Sequence, residues 1–215
     1  PPRAGRASPA DGACGRVAAY RRPPGVSVTV RPYEAASKEF RSHGWWEGVT
    51  LGQLFAGNAD ANPSRLALAD PPNRADVTIG EPTRWTYAEL RTAADRLATS
   101  FLAEGIGHGD VVMVQLPNVA ELVIVYLAAA RIGAIVSPLA VQYRAHEVRT
   151  TARIVEPVAF ITARTIAGFD HLAMVGEVRG DLPTVRTVYA LADDAPADAI
   201  SLGEVIRKGE VDGAA

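Results

Sequence analysis

A single cysteine, Cys14, in 215 residues rules out an internal disulfide and any zinc site built from several cysteines, and it favours a reducing compartment. The four histidines, His43, His108, His146 and His171, never fall at the spacing that places two imidazoles on one helical face, so they form no zinc-binding pair. The chain has no Gly-x-Ser-x-Gly elbow for a serine hydrolase and no Gly-x-x-x-x-Gly-Lys-Ser/Thr phosphate loop. The net charge of −2 offers no field to gather nucleic acid or an acidic partner. Long apolar runs are also missing. The stretch 111–139 is interrupted by Pro117, Asn118, Glu121 and Arg131, and a charge near a bilayer centre costs about 2.5–3.5 kcal/mol, so a buried strand-helix-strand unit is expected rather than a membrane span. No apolar core follows the early arginines, so no secretory leader is read and a cytoplasmic location is expected. Nor does the chain repeat itself on a scale of about 20–50 residues.

What is present is a hydrophobic content of 48%, enough for the core of one domain or one large subdomain. Residues 84–162 organise it. Thr86 and Glu89 form a Thr-x-x-Glu capping box, and Tyr87, Leu90, Ala94, Leu97 and Phe101 follow at steps of three and four on one helical face. Gly105-Ile106-Gly107 stops that helix. These glycines follow a helix and precede a strand, the reverse of a dinucleotide-binding turn, whose amides must open a helix toward phosphate. Residues 111–116 read as a strand covered on both faces. Pro117-Asn118 breaks it, with Asn118 placed to cap a nearly all-apolar helix over 119–132. After Gly133 come a buried strand at 134–136, a helix over 146–155 and a strand over 158–161. Strands alternating with helices of this length predict an α/β fold: a mostly parallel sheet with helices on both faces.

Around this unit, residues 1–32 read as a solvated, disordered basic tail, in which six arginines face only Asp11, rather than as an anchoring arm or transit peptide. Within it 26–30 alternates like a short strand, and 33–40 reads as a helical turn. Cys14 lies in the tail with no activating neighbour beyond Arg16. Trp45-Trp46 precede a helix opened by Thr50 and Gln53, with Leu51, Leu54 and Phe55 on its apolar face, and the tryptophans are expected to pack into the core or an interface. Residues 66–69 and 77–85 predict a small antiparallel hairpin around a loop at 71–76. A helix over 168–178, a strand over 185–191 and a short helix capped by Ser201 and Glu204 complete the folded unit, 33–208, before a linker at 209–215.

The order Trp85-Thr86-Tyr87-Ala88-Glu89-Leu90, Gly109-Asp110-Val111-Val112 and Leu116-Pro117-Asn118, continued by Gly133-Ala134, Pro138-Leu139, Glu147 and Pro157, resembles the amino-terminal part of AMP-forming acyl-CoA synthetases. The resemblance spans about residues 50–205. It implies the amino-terminal subdomain of a ligase that joins a fatty, alicyclic or aromatic carboxylic acid to AMP and then to a thiol, with ATP, Mg2+ and CoA as cofactors of the full-length enzyme. The family's Ser/Thr/Gly-rich loop ending in Pro-Lys-Gly does not occur in the sequence. The resemblance therefore implies a scaffold without catalytic, cofactor-binding or metal residues of its own, truncated before the phosphate loop. Such a scaffold is expected to be inactive alone, to bind no cofactor, and to partner the remainder of the same synthetase or itself. The one substrate-pocket candidate is Asn118, at a strand's carboxyl end, where ligand crevices of open α/β sheets lie; the competing reading is a plain helix cap. Tyr143-Arg144-x-x-Glu147 leans toward fatty, alicyclic or aromatic acids, with Arg144 facing either a CoA phosphate or Glu147 in a surface ion pair. Two alternatives compete with the ligase scaffold, a stand-alone Rossmann-like nucleotide-binding module and a non-catalytic interaction domain.

Overall fold

The computed structural model describes residues 34–46 and 48–208, so the tail with Cys14, the strand-like 26–30 and the linker 209–215 lie outside the described residues. Helix α1 (Glu34–Ser42) leads to α2 (Leu51–Ala61), whose first turn is closed by the reciprocal Thr50–Gln53 capping box. An antiparallel hairpin follows, β1 (Leu66–Ala69) with β2 (Arg84–Thr86), carrying the short helix α3 (Arg74–Val77) in its connection. The returning strand is thus much shorter than 77–85. The chain uses the segment between the strands for a helical turn that buries Arg74.

Thr86 and Glu89 open α4 (Tyr87–Ala103) as expected. The Thr86 amide donates to the Glu89 carboxylate at 2.8 Å, and the Glu89 amide donates to Thr86 Oγ1 at 3.3 Å. Then come β3 (Val111–Gln115), α5 (Ala120–Ile132), β4 (Ile135–Pro138), α6 (Ala145–Val155) and β5 (Ala159–Ala163). Gly133, at φ +73°, ends α5, and a Cβ there would sit 2.6 Å from His108 Cδ2, so both conformation and space call for glycine. A tiny hairpin, β6 (Thr165–Ile166) and β7 (Phe169–Asp170), precedes α7 (His171–Val178), then β8 (Thr187–Leu191), β9 (Ile200–Ser201) and α8 (Leu202–Lys208). The expected helix over 168–178 therefore starts three residues late. Asp170 caps it by accepting from the Ala173 amide at 2.8 Å.

The main sheet runs β4-β3-β5-β8-β9 with every neighbouring pair parallel. Its side chains alternate between two cores. Val112, Val114, Ala159, Ile161, Tyr189 and Leu191 pack with α4, α5 and α8, whereas Met113, Phe160, Val188 and Ala190 pack with α6 and α7. The fold class expected from the sequence is what the structure shows, including helices on both faces and a small antiparallel hairpin. Strand β4 departs from expectation. It is an edge strand of the described sheet and only half-buried or exposed, since it has a partner on one side alone.

Candidate functional site

The order of the first strands places the change in winding direction between β3 and β5, since α5 lies on one face and α7 on the other. In open doubly wound sheets the carboxyl ends at such a point leave a ligand crevice. Here that position is filled by the chain. Gln115 and Thr162, at the ends of β3 and β5, are fully buried, and Thr162 Oγ1 donates to the Gln115 carbonyl at 3.2 Å. The β6–β7 hairpin lies beyond them and is tied to the α3 segment by Ala167 N–H to Val77 O at 2.8 Å and Thr78 Oγ1 to Thr165 O at 2.9 Å.

The open space is one strand over. A cleft of about 450 Å3 lies at the carboxyl ends of β3 and β4. One wall is the turn from β3 into α5, with Leu116, Pro117, Asn118 and Leu122; the other is the loop leaving β4, with Leu139, Ala140 and Val141. Asn118 is exposed in this cleft. It does not cap α5. The capping position is Val119, which has no side chain able to accept, and the first helical amide, Ala120 N–H, instead donates to Asp70 Oδ1 at 2.7 Å. The cap thus comes from 50 residues upstream.

Asp70 belongs to a buried ionic network that fixes the first wall. Arg74 Nη1 donates to Asp70 Oδ2 at 2.8 Å and to Glu121 Oε2 at 2.9 Å, while Nη2 donates to Glu121 Oε1 at 2.8 Å and Nε to the Ile79 carbonyl at 3.0 Å. The Thr83 amide and hydroxyl donate to Asp70 Oδ2 at 2.9 and 2.6 Å, and Trp85 Nε1 donates to Thr83 Oγ1 at 2.7 Å. Burial pushes the Asp70 carboxyl up, but the hydrogen bonds from Thr83, Ala120 and Arg74 outweigh it and hold it below its ordinary value. A helix N-terminus attracts anions through its free amides and dipole. At α5 Asp70 and Glu121 already occupy that role.

The second wall is fixed differently. Gln115 Nε2 donates to the carbonyls of Ala140 and Tyr143 at 2.9 and 3.0 Å, and His171 Nε2 lies 2.9 Å from the Val141 carbonyl. Arg144 does not pair with Glu147. The Glu147 carboxylate accepts from the Arg144 backbone amide at 2.9 Å, and the guanidinium turns back to the Val141 and Tyr143 carbonyls and lies 4.0 Å from the centroid of the Phe169 ring. No local pattern marks His171, whose partners are backbone carbonyls 30 and 2 residues away.

Of the two expected places for the tryptophans, the core is not the one they take among the described residues. Trp45 and Trp46 are 67% and 53% exposed and contact Phe40, with His43 stacked on Trp45. Leu51 and Leu54 are 56% and 57% exposed, so only Phe55 of the expected apolar face of α2 turns inward, toward Tyr87. No three acidic, histidine or cysteine side chains cluster as a metal site among the described residues. No helix among them is long and apolar enough to cross a membrane.

A family model described as AMP-binding enzyme matches residues 55–211. A 2,3-dihydroxybenzoate-AMP ligase of Bacillus subtilis is 32% identical over 177 residues, covering 79% of this chain and 31% of the ligase. A medium-chain fatty-acid–CoA ligase of Escherichia coli is 26% identical, with 84% and 31% covered. Among solved structures, MbtA of Mycobacterium smegmatis superposes with a TM-score of 0.68 at 31% identity, covering 83% of this chain and 31% of MbtA. The chain thus spans under a third of the length of the relatives it matches.

Proposed function

The chain belongs to the AMP-binding enzyme family, and from that premise we propose that it is the amino-terminal scaffold of an ATP-dependent ligase that adenylates an aryl or fatty carboxylic acid and passes the acyl group to CoA or another thiol. The observation that carries this reading is the cleft between β3 and β4. Its walls are apolar apart from Asn118, and the helix N-terminus beside it is already satisfied by Asp70. Such a cleft suits an acyl chain, an aromatic ring or the uncharged arm of a thiol cofactor. The Asn118 carboxamide offers one acceptor and two donors to a hydroxyl or amide at its mouth.

The described residues do not fit the triphosphate or magnesium. The α5 amides face a carboxylate, and no cluster of ligating side chains is present among them. Neither the attack on ATP nor the thiol step is therefore assigned to these residues. Their share is to hold one sheet layer and one pocket wall, while the remainder of the ligase supplies the nucleotide site. We expect no ATP–pyrophosphate exchange from the purified chain with aryl, alicyclic or fatty acids. Acid-dependent exchange that copurifies with the chain would defeat the scaffold reading and favour a complete nucleotide-binding module.

The exposed strip of Trp45, Trp46, Val49, Leu51 and Leu54 supports an interaction role as well. In this reading the strip is covered by the rest of the ligase or, when the chain is alone, by another copy. Size-exclusion chromatography across a concentration series should show association, and a monomer at every concentration would remove that part of the reading.

A further inference from the structure

We propose that Gln115 and His171 are positioning residues that latch the cleft's outer wall by its backbone carbonyls. This inference does not depend on which ligand the cleft takes.

The loop leaving β4 presents three carbonyls, each with two polar partners. Ala140 O takes the Tyr143 amide at 3.0 Å and Gln115 Nε2 at 2.9 Å. Tyr143 O takes Gln115 Nε2 at 3.0 Å and Arg144 Nη1 at 2.9 Å. Val141 O takes Arg144 Nη1 at 2.9 Å and lies 2.9 Å from His171 Nε2. Both protons of the Gln115 carboxamide are thereby used and its Oε1 has no partner, so a flipped amide would set oxygen against two carbonyls. Gln115 and His171 are fully buried, so water cannot substitute for either donor.

His171 faces a carbonyl with each ring nitrogen. Nε2 meets Val141 O at 2.9 Å and Nδ1 meets Phe169 O at 3.1 Å. A neutral imidazole has one proton for these two acceptors. With the proton on Nε2 the wall is held, and the Nδ1 lone pair points at the Phe169 carbonyl. With the proton on Nδ1 the bond to the wall is lost. The latch therefore requires the proton on Nε2.

Several charged groups on the packed elements are already engaged. Glu147 of α6 holds the Arg144 amide, and Arg149 pairs with Asp181 in the turn after α7. Arg164 pairs with Asp194, Asp170 caps Ala173, and Arg179 donates to the Arg186 carbonyl. His146 is exposed, and none of these groups forms an ion pair or hydrogen bond with the ring among the described residues. Arg144 shares the Val141 carbonyl with His171 Nε2 and also stacks on Phe169, whose edge-to-face contact with His171 spans 5.0 Å.

The test is hydrogen exchange at the Tyr143 amide, which donates to the Ala140 carbonyl, in the full chain. Gln115→Met should lower protection about tenfold, the loss of one to two buried hydrogen bonds. His171→Phe should lower it several-fold, and His171→Gln, which keeps a side-chain donor, should recover most of that loss. Wild-type protection in Gln115→Met or His171→Phe overturns the proposal, as does a His171→Gln variant no better than His171→Phe. Should the variants fail to fold, ring nitrogen NMR of wild-type His171 decides, and a proton on Nδ1 rather than Nε2 overturns the proposal.

Discussion

The middle of the sheet and its carboxyl edge are built on opposite principles. In the middle, Leu97, Phe101, Val112, Ile161 and Tyr189 are almost fully buried, and a part-buried polar pair, Ser100 Oγ and Tyr189 OH at 3.0 Å, sits among them. At the edge, the fully buried side chains include Gln115, Thr162, His171, Arg74 and Asp70, each holding backbone or another charge. Apolar packing is non-directional and tolerates small adjustments, whereas each edge contact depends on a particular donor meeting a particular acceptor. The middle therefore sets that the chain folds, and the edge sets the shape of the cleft. The edge networks also differ from each other. The Asp70–Arg74–Glu121 wall is held by paired charges, whereas Gln115, His171 and Arg144 hold the other wall by its backbone carbonyls.

The largest expected effect tests whether the edge is as costly to damage as the middle. Arg74→Met removes the one cation between two carboxylates and should cost about 3–5 kcal/mol in urea unfolding, because breaking a buried pair leaves uncompensated charge. A cost near that of a surface ion pair, about 0–1 kcal/mol, would reduce the edge to decoration. Next, Leu97→Ala, deep in the middle, should cost about 2–5 kcal/mol through lost transfer energy and a residual cavity. If Arg74→Met moves the exchange of the Asn118 turn and Leu97→Ala does not, the division of labour holds.

An intermediate effect concerns acid. The folded-state Asp70 carboxyl lies below its ordinary value of 3.8, so the folded state binds fewer protons than the unfolded state near that pH. The resulting stability is fully present above the unfolded value and is lost as pH falls through the folded one. Stability should therefore decline from about pH 5 downward, and Asp70→Asn should shallow that limb while costing stability at neutral pH. An unchanged acid limb would mean that Asp70 carries none of it.

The middle was legible because its signals are local and periodic. The three-and-four spacing from Tyr87 to Phe101, the Thr86–Glu89 box and the stop at Gly133 each act within a few residues, and all appear as expected. The edge was not legible because its bonds join distant residues. Asn118 follows a strand-breaking Pro117 and has a capping side chain, yet the cap is Asp70, and no local pattern could weigh a competitor 50 residues away. The loop at 71–76 concealed a helical turn because Arg74 owes its place to Glu121, 47 residues further on. Arg144 and Glu147 have the spacing of an ion pair, but the three carbonyls of the adjoining loop and the Phe169 face draw the guanidinium away. The exposure of Leu51 and Leu54 was hidden for a related reason, since an apolar position shows that burial is affordable but not which surface supplies it.

The smallest expected effect sharpens the comparison from the other side. Tyr189→Phe removes a hydroxyl buried in the middle of the sheet, while keeping the ring and its edge-to-face contact with Phe101, whose centroid lies 5.3 Å away. Burial pushes the Tyr189 phenol well above its ordinary value, so the hydroxyl stays protonated and neutral at any pH at which the chain is folded, and no charge is lost with it. Its partner Ser100 is only half-buried and sits in α4, where a serine hydroxyl can turn to the carbonyl of residue 96 one helical turn back. The cost should therefore be about 1 kcal/mol or less, the net worth of one hydrogen bond whose surviving partner finds another acceptor. Urea midpoints of the two forms measure it directly. A loss approaching that of Arg74→Met would mean that the middle, too, depends on directed polar contacts, and the contrast between the two regions would then be one of degree.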